Sequence, residues 1–132
     1  MRGSMLRIHD ALKLRGLSVA TLVVLVLVLA RVGGLRAEQA VDQRLAAGKG
    51  LAMARDKGNC LACHAIADGE LPGNIGPPLL YMRQRFPDKN ELRAQIWDPT
   101  VRNPDTVMPP FGKHRILTGE EIDLIVDYIQ TL

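Results

Sequence analysis

Only two cysteines occur in the 132 residues, so no framework of several disulfides holds this chain together. Only five side chains are aromatic, one Trp, two Tyr and two Phe. A short chain so poor in large apolar groups has little with which to build a core of its own. Runs rich in Val, Ile and Thr are missing after residue 38, which argues against a sheet. No internal repeat appears, and no low-complexity tract beyond the N-terminal segment. An excess of one charge is missing too, once the chain is read in parts. The formal net charge of +3 comes from the first 37 residues, which hold six of the 17 Lys and Arg but one of the 14 Asp and Glu. Residues 38–132 keep 11 basic and 13 acidic side chains, a net of −2. That balance leaves no electrostatic footprint for nucleic acid.

What is present begins with a leader. Residues 1–37 place Arg2, Arg7, Lys13 and Arg15 before the uncharged apolar run 17–30, the pattern of a targeting segment that is removed and takes no part in the fold. As a helix that run covers ~21 Å, against the ~30 Å hydrocarbon core that a spanning helix must cross. Cleavage is expected after Ala37, although Leu35 and Arg31 fit a processing site poorly. An uncleaved anchor, with membrane attachment, stays open as the alternative, and Met5 offers a second start. Residues 38–132 then form one domain.

Cys60-Leu61-Ala62-Cys63-His64 carries the chemistry, because C-x-x-C-H attaches a c-type haem. Each thiol can add across one vinyl group, and the adjoining imidazole is placed to bind the iron. A thioredoxin-like dithiol would need a βαβ setting that the chain lacks. A structural zinc site would need further ligands, where only His9 and His114 remain. One covalently bound haem c is therefore the expected cofactor, and its large apolar ring would supply the core that the side chains do not. The apoprotein is expected to be poorly folded. Export together with a thioether-linked haem points to the periplasm.

The pattern beyond the leader is all-helical. Val41, Leu45, Gly48 and Ala52 mark a first helix, which Gly58-Asn59 should end. Gly48 is either a point of close helix approach or a plain flexible residue. Seven Gly, Pro and Asn residues make 68–78 a loop, and a short helix over 79–85 follows. Asp88 and Glu91 open another helix carrying Leu92 and Ile96, ended by Pro99. Residues 99–117 form a second loop with four prolines. Thr118 and Glu121 make a capping box for a last helix with Ile122, Ile125, Val126, Ile129 and Leu132 on one face. The first and last helices should pack together, each having an apolar face to cover.

Met53, Met82, Met108 and His114 are the candidates for a sixth ligand opposite His64. Met53 and Met82 read as core residues on helices. Met108 is assigned as the axial ligand because Pro109 and Pro110 follow it, stiffening the backbone that presents its thioether. His114 and an open site stay as alternatives. The carbonyl of Pro77 or Pro78 is the candidate acceptor for the second ring nitrogen of His64. Trp97 either packs or bonds a haem propionate, and Arg83 and Arg102 read as solvated. No residue of this chain is assigned a catalytic role. A saturated iron suits an electron carrier, whether a subunit or a free shuttle, and a labile sixth ligand would instead suit a haem enzyme.

The order of helix, C-x-x-C-H, Gly-Pro loop, Met-Pro loop and closing helix resembles class I cytochromes c, which implies an all-α fold with N- and C-terminal helices packed around one haem. Lys57–His64, Pro72–Leu79, Gln95-Ile96-Trp97-Asp98 and Met108-Pro109-Pro110-Phe111-Gly112-Lys113-His114 are similar to SoxX, the monohaem subunit family of SoxAX cytochromes in bacterial sulfur oxidation. That resemblance covers roughly residues 48–132. It implies a periplasmic heterodimer in which a SoxA subunit couples thiosulfate to a cysteine of the SoxYZ carrier, an L-cysteine S-thiosulfotransferase activity. This chain would pass the electrons to a downstream cytochrome. The family roles fall on Cys60 and Cys63 for attachment, His64 and Met108 as axial ligands, and Pro77 as the His64 acceptor. With no third cysteine, any transferase chemistry would belong to the partner.

Overall fold

A computed structural model describes residues 19–67 and 69–132. Asp68, Leu17, His9 and the basic residues Arg2, Arg7, Lys13 and Arg15 lie outside the described residues. The chain divides into two units, Met1–Gln39 and Ala40–Leu132. Four α-helices are present among the described residues: α1 (Val19–Met53), α2 (Met82–Arg85), α3 (Lys89–Trp97) and α4 (Gly119–Ile129). Two single 3-10 turns, Cys60–Ala62 and Pro99–Val101, complete the regular structure. The described residues contain no strand.

In the first unit, the described part of α1 carries exposed apolar side chains from Val23 to Leu29. No helix of the described residues is long and apolar enough to cross a membrane. The expected first helix about residues 41–52 is the C-terminal part of α1, so helix continues upstream instead of starting after the leader.

Its C-terminal end also differs from the expectation. The helix stops at Met53, five residues before Gly58, because residues 54–58 form turns in which the Gly58 N–H returns to the Leu51 carbonyl (3.0 Å) and the Asn59 N–H to that of Ala54 (3.0 Å). These bonds satisfy carbonyls that a helix terminus leaves open. Asn59 does take the left-handed conformation, φ 47°, and stands directly before the turn that begins at Cys60.

The second unit is organised around α4. The capping box is complete: the Thr118 hydroxyl accepts the Glu121 N–H, and the Glu121 carboxylate accepts the Thr118 N–H. The buried face of α4 holds Ile122, Ile125, Val126, Tyr128 and Ile129. Against it lies α3, started by Asp88, whose carboxylate accepts the Asn90 N–H. Its buried residues are Leu92 and Ile96. Arg93 to Asp123 and Lys89 to Asp127 bond across the same contact, both at 2.6 Å.

The crossing of α1 and α4 is made at Gly48, where a Cβ would lie 2.0 Å from the Leu124 carbonyl oxygen and 3.0 Å from Tyr128 Cβ. Close approach is thus the role of this glycine. The expected short helix over 79–85 is reduced to Met82–Arg85, because the Leu79 N–H pairs with the Ala65 carbonyl and Tyr81 turns left-handed at φ 54°. The expected loop 99–117 contains the 3-10 turn Pro99–Val101, with Asp98 accepting the Thr100 N–H.

Candidate functional site

Cys60 opens a tight turn in which its carbonyl accepts the N–H of Cys63 (3.2 Å) and of His64 (2.9 Å). The C-x-x-C-H pentapeptide is therefore folded back on itself, and both cysteines and the imidazole line one cavity of about 710 Å³. Both thiols are free and partly buried, and burial pushes the Cys60 thiol up to about 11. The following loop wraps the motif through the Gly73 N–H to the Leu61 carbonyl and the Gly76 N–H to the Cys63 carbonyl, each 2.8 Å. A Cβ on Gly76 would lie 2.4 Å from His64 Cε1, so the imidazole rests flush on bare backbone.

His64 Nδ1 lies 2.7 Å from the Pro77 carbonyl oxygen. A carbonyl can only accept, so Nδ1 carries a proton, and in the neutral tautomer this leaves Nε2 as the nitrogen with the lone pair. That arrangement holds an imidazole ready as a neutral ligand. Pro77, which has no N–H of its own, lines the same cavity.

Met108 also lines this cavity, and its N–H bonds to the Thr106 hydroxyl (3.2 Å). Met82 lines it too, fully buried, with the Arg85 guanidinium 3.3 Å from its sulfur. Neither Met53 nor His114 is among the lining residues. Met53 packs on the core at the end of α1, and His114 is exposed. Trp97 lies outside the lining as well; its ring packs on Gly112 and under the Arg93 guanidinium, 5.2 Å away. Packing, and not a reach into the cavity, is thus its observed setting. Arg102 pairs with Glu91 at 3.2 Å and stands over the Phe86 ring, while Arg83 is exposed.

Arg85 escaped the sequence reading. It lines the cavity and donates to the Pro78 carbonyl at 2.8 Å, one residue from the carbonyl that holds His64. Nothing in a Met-Arg-Gln-Arg run separates it from Arg83. The sequence reading also missed Thr106, which accepts the Met108 N–H.

Leu79, Leu92, Ile96, Phe111, Ile125 and Ile129 supply the apolar wall. Protein interiors hold few voids larger than a water molecule, and a space of this size falls within the range of about 300–1,000 Å³ for ligand pockets. A porphyrin fits the residues present: apolar walls, two free thiols, a neutral nitrogen donor and thioethers. Among the described residues there is no cluster of three or more His, Cys, Asp or Glu side chains to hold a metal ion, and the strand context of a dithiol oxidoreductase is also missing from them.

Helices enclosing an apolar cavity whose rim carries C-x-x-C-H define a class, the c-type cytochrome domain. Residues 43–129 match the family described as cytochrome C oxidase, cbb3-type, subunit III, and the chain belongs to that family. It is also 40% identical over 74 residues to an uncharacterized lipoprotein of Aquifex aeolicus (strain VF5). The match takes in 55% of this chain and 36% of that relative, so the chain spans about a third of its length. Membership in a cytochrome c family implies haem c as the cofactor.

Proposed function

We propose that this chain is a monohaem electron-transfer cytochrome, with haem c bonded to Cys60 and Cys63 and its iron held between His64 and Met108. One observation carries this reading: His64, its Nδ1 proton committed to Pro77, and Met108 line the same cavity. Bound there, the haem supplies a one-electron couple whose potential a His/Met pair raises. The chain's own residues hold and shield it. Pro77 fixes the imidazole orientation, Gly76 lets the loop lie against the ring, and Ile96, Ile125 and Ile129 keep water from the cavity wall.

A finer reading rests on the blocks Lys57–His64, Pro72–Leu79, Gln95–Asp98 and Met108–His114, which resemble SoxX. It makes the chain the electron-accepting subunit of a periplasmic SoxAX complex in thiosulfate oxidation. The SoxA partner would do the chemistry on the SoxYZ carrier, and a further cytochrome would take the electrons. Residues 1–37 serve this reading as a signal segment.

Met108→Ala tests the ligand set. Loss of the far-red sulfur-to-iron band, a lower potential and carbon monoxide binding to the ferrous form are the expected results; an unchanged spectrum removes Met108 from its role. Gentle purification from the native host tests the subunit. Co-elution with a second cytochrome supports it, and a lone species of the chain's own size makes the protein a free shuttle.

A further inference from the structure

Trp97 and Asp98 at the end of α3, and Gly112 and Lys113 shortly after Met108, lie outside the cavity lining. The structure brings them together. The Trp97 carbonyl, one of those that a helix C-terminus leaves open, accepts the N–H of both Gly112 and Lys113, each at 3.1 Å. Lys113 Nζ lies 2.7 Å from Asp98 Oδ2, and the Asp98 side chain is only 12% exposed. The other Asp98 oxygen is held in turn by the Thr100 N–H and hydroxyl. Gly112 lies on the face of the indole, where a Cβ would come within 2.2 Å of Trp97 Cδ2 and Cε3.

The chain between this contact and Met108 is short and stiff. Pro109 and Pro110 have φ fixed near −65° and no N–H with which to form other bonds. Phe111, the remaining residue between, is buried and its carbonyl accepts the N–H of Ile116 and Leu117, so a displacement at Gly112 reaches Met108 with little room for the backbone to absorb it. On the other side of Met108, its N–H is tied to Thr106, and the Thr106 N–H to the Asn103 carbonyl. The thioether is suspended between two anchors, of which the one at Trp97 is built from distant sequence.

We infer that Trp97, Asp98, Gly112 and Lys113 form a clasp between α3 and the Met108 loop, and that it sets the position of the sixth ligand. They are positioning residues, acting through the backbone of Pro109 and Pro110. The inference rests on Met108 being that ligand, and the test separates the two.

The experiment uses the full chain loaded with haem and reads the far-red sulfur-to-iron band, the reduction potential and carbon monoxide binding. Gly112→Ala should weaken or abolish the band, lower the potential and admit carbon monoxide, because the added methyl drives the loop off the indole. Adding Trp97→Leu to it removes the obstructing ring atoms and should restore the band, a rescue that a general loss of stability would not show. Lys113→Gln and Asp98→Asn, milder changes for use if Gly112→Ala does not accumulate, should speed amide exchange at Gly112 and Lys113 and raise the rate of carbon monoxide binding. If Met108→Ala loses the band while the clasp variants keep it and exclude carbon monoxide, the clasp is overturned and the ligand assignment stands. A band that survives Met108→Ala overturns both.

Discussion

Gly48 of α1 and Leu124 of α4 meet backbone to backbone, with room for a hydrogen at Gly48 and for nothing larger. Relief cannot come from a side-chain rotation, since the first atoms met are the Leu124 carbonyl. Two effects oppose each other in Gly48→Ala. Alanine favours helix over glycine by about 1 kcal/mol, whereas forcing an extra carbon into a packed contact costs about 1–3 kcal/mol. The contact is with backbone, so the second effect wins and the melting temperature should fall. Gly50, two residues along the same helix, has nothing within 4 Å of its Cβ position. Gly50→Ala should therefore leave stability unchanged or raise it by up to about 1 kcal/mol, and equal losses in both variants would refute this account of the crossing.

Asp127 joins three helices, accepting from Lys89 of α3 at 2.6 Å and Arg44 of α1 at 2.8 Å. The Lys89 hydrogen bond, with a lesser one from Arg44, holds its carboxyl below the ordinary 3.8. A group whose folded value is depressed adds stability above its unfolded value, and that stability is lost as pH falls through the lower, folded value. Both cations are more than half exposed, so the whole contribution should not exceed about 1 kcal/mol. Thermal melts from neutral pH to well below 3.8 should show a steeper acid decline for the wild type than for Asp127→Asn. Parallel curves would show that the pair does not contribute.

Gly76→Ala should lower the yield of haem-loaded protein. The new methyl would meet the His64 ring at Cε1, Nδ1 and Nε2, turning the imidazole away from the Pro77 carbonyl. Haem content per chain, measured by pyridine haemochrome against total protein, checks this. A wild-type ratio together with a wild-type spectrum would mean that the ring tolerates the shift.

Features written in neighbouring residues were legible without coordinates. The capping box of Thr118 and Glu121, the Asp88 cap, the left-handed Asn59 and the alternation of loop and helix all follow from local backbone chemistry, and all are present. The end of α1 was not legible, because Gly58 and Asn59 signal a stop without showing that the turns of residues 54–58 intervene. Nor was the Arg85 bond to Pro78, or the seating of Trp97 on Gly112. The first two are local but depend on the path a loop takes, which no residue type dictates, and the third joins α3 to a loop 15 residues on. Pro77 sits between these cases. The sequence offered two adjacent carbonyls, and the geometry gives Pro77 to His64 and Pro78 to Arg85.

Lys57, three residues before the first thiol, bonds to Glu121 in the cap of α4, 64 positions downstream. The turn bearing both sulfurs is thereby moored to a helix made much later in synthesis, and Ile125 and Ile129 of that helix close the chamber. A nascent chain that has emerged only as far as His64 displays its reactive groups with no chamber around them. If Cys60 and Cys63 take haem as proposed, the attachment must either act on that open strand or follow the docking of the distant helix.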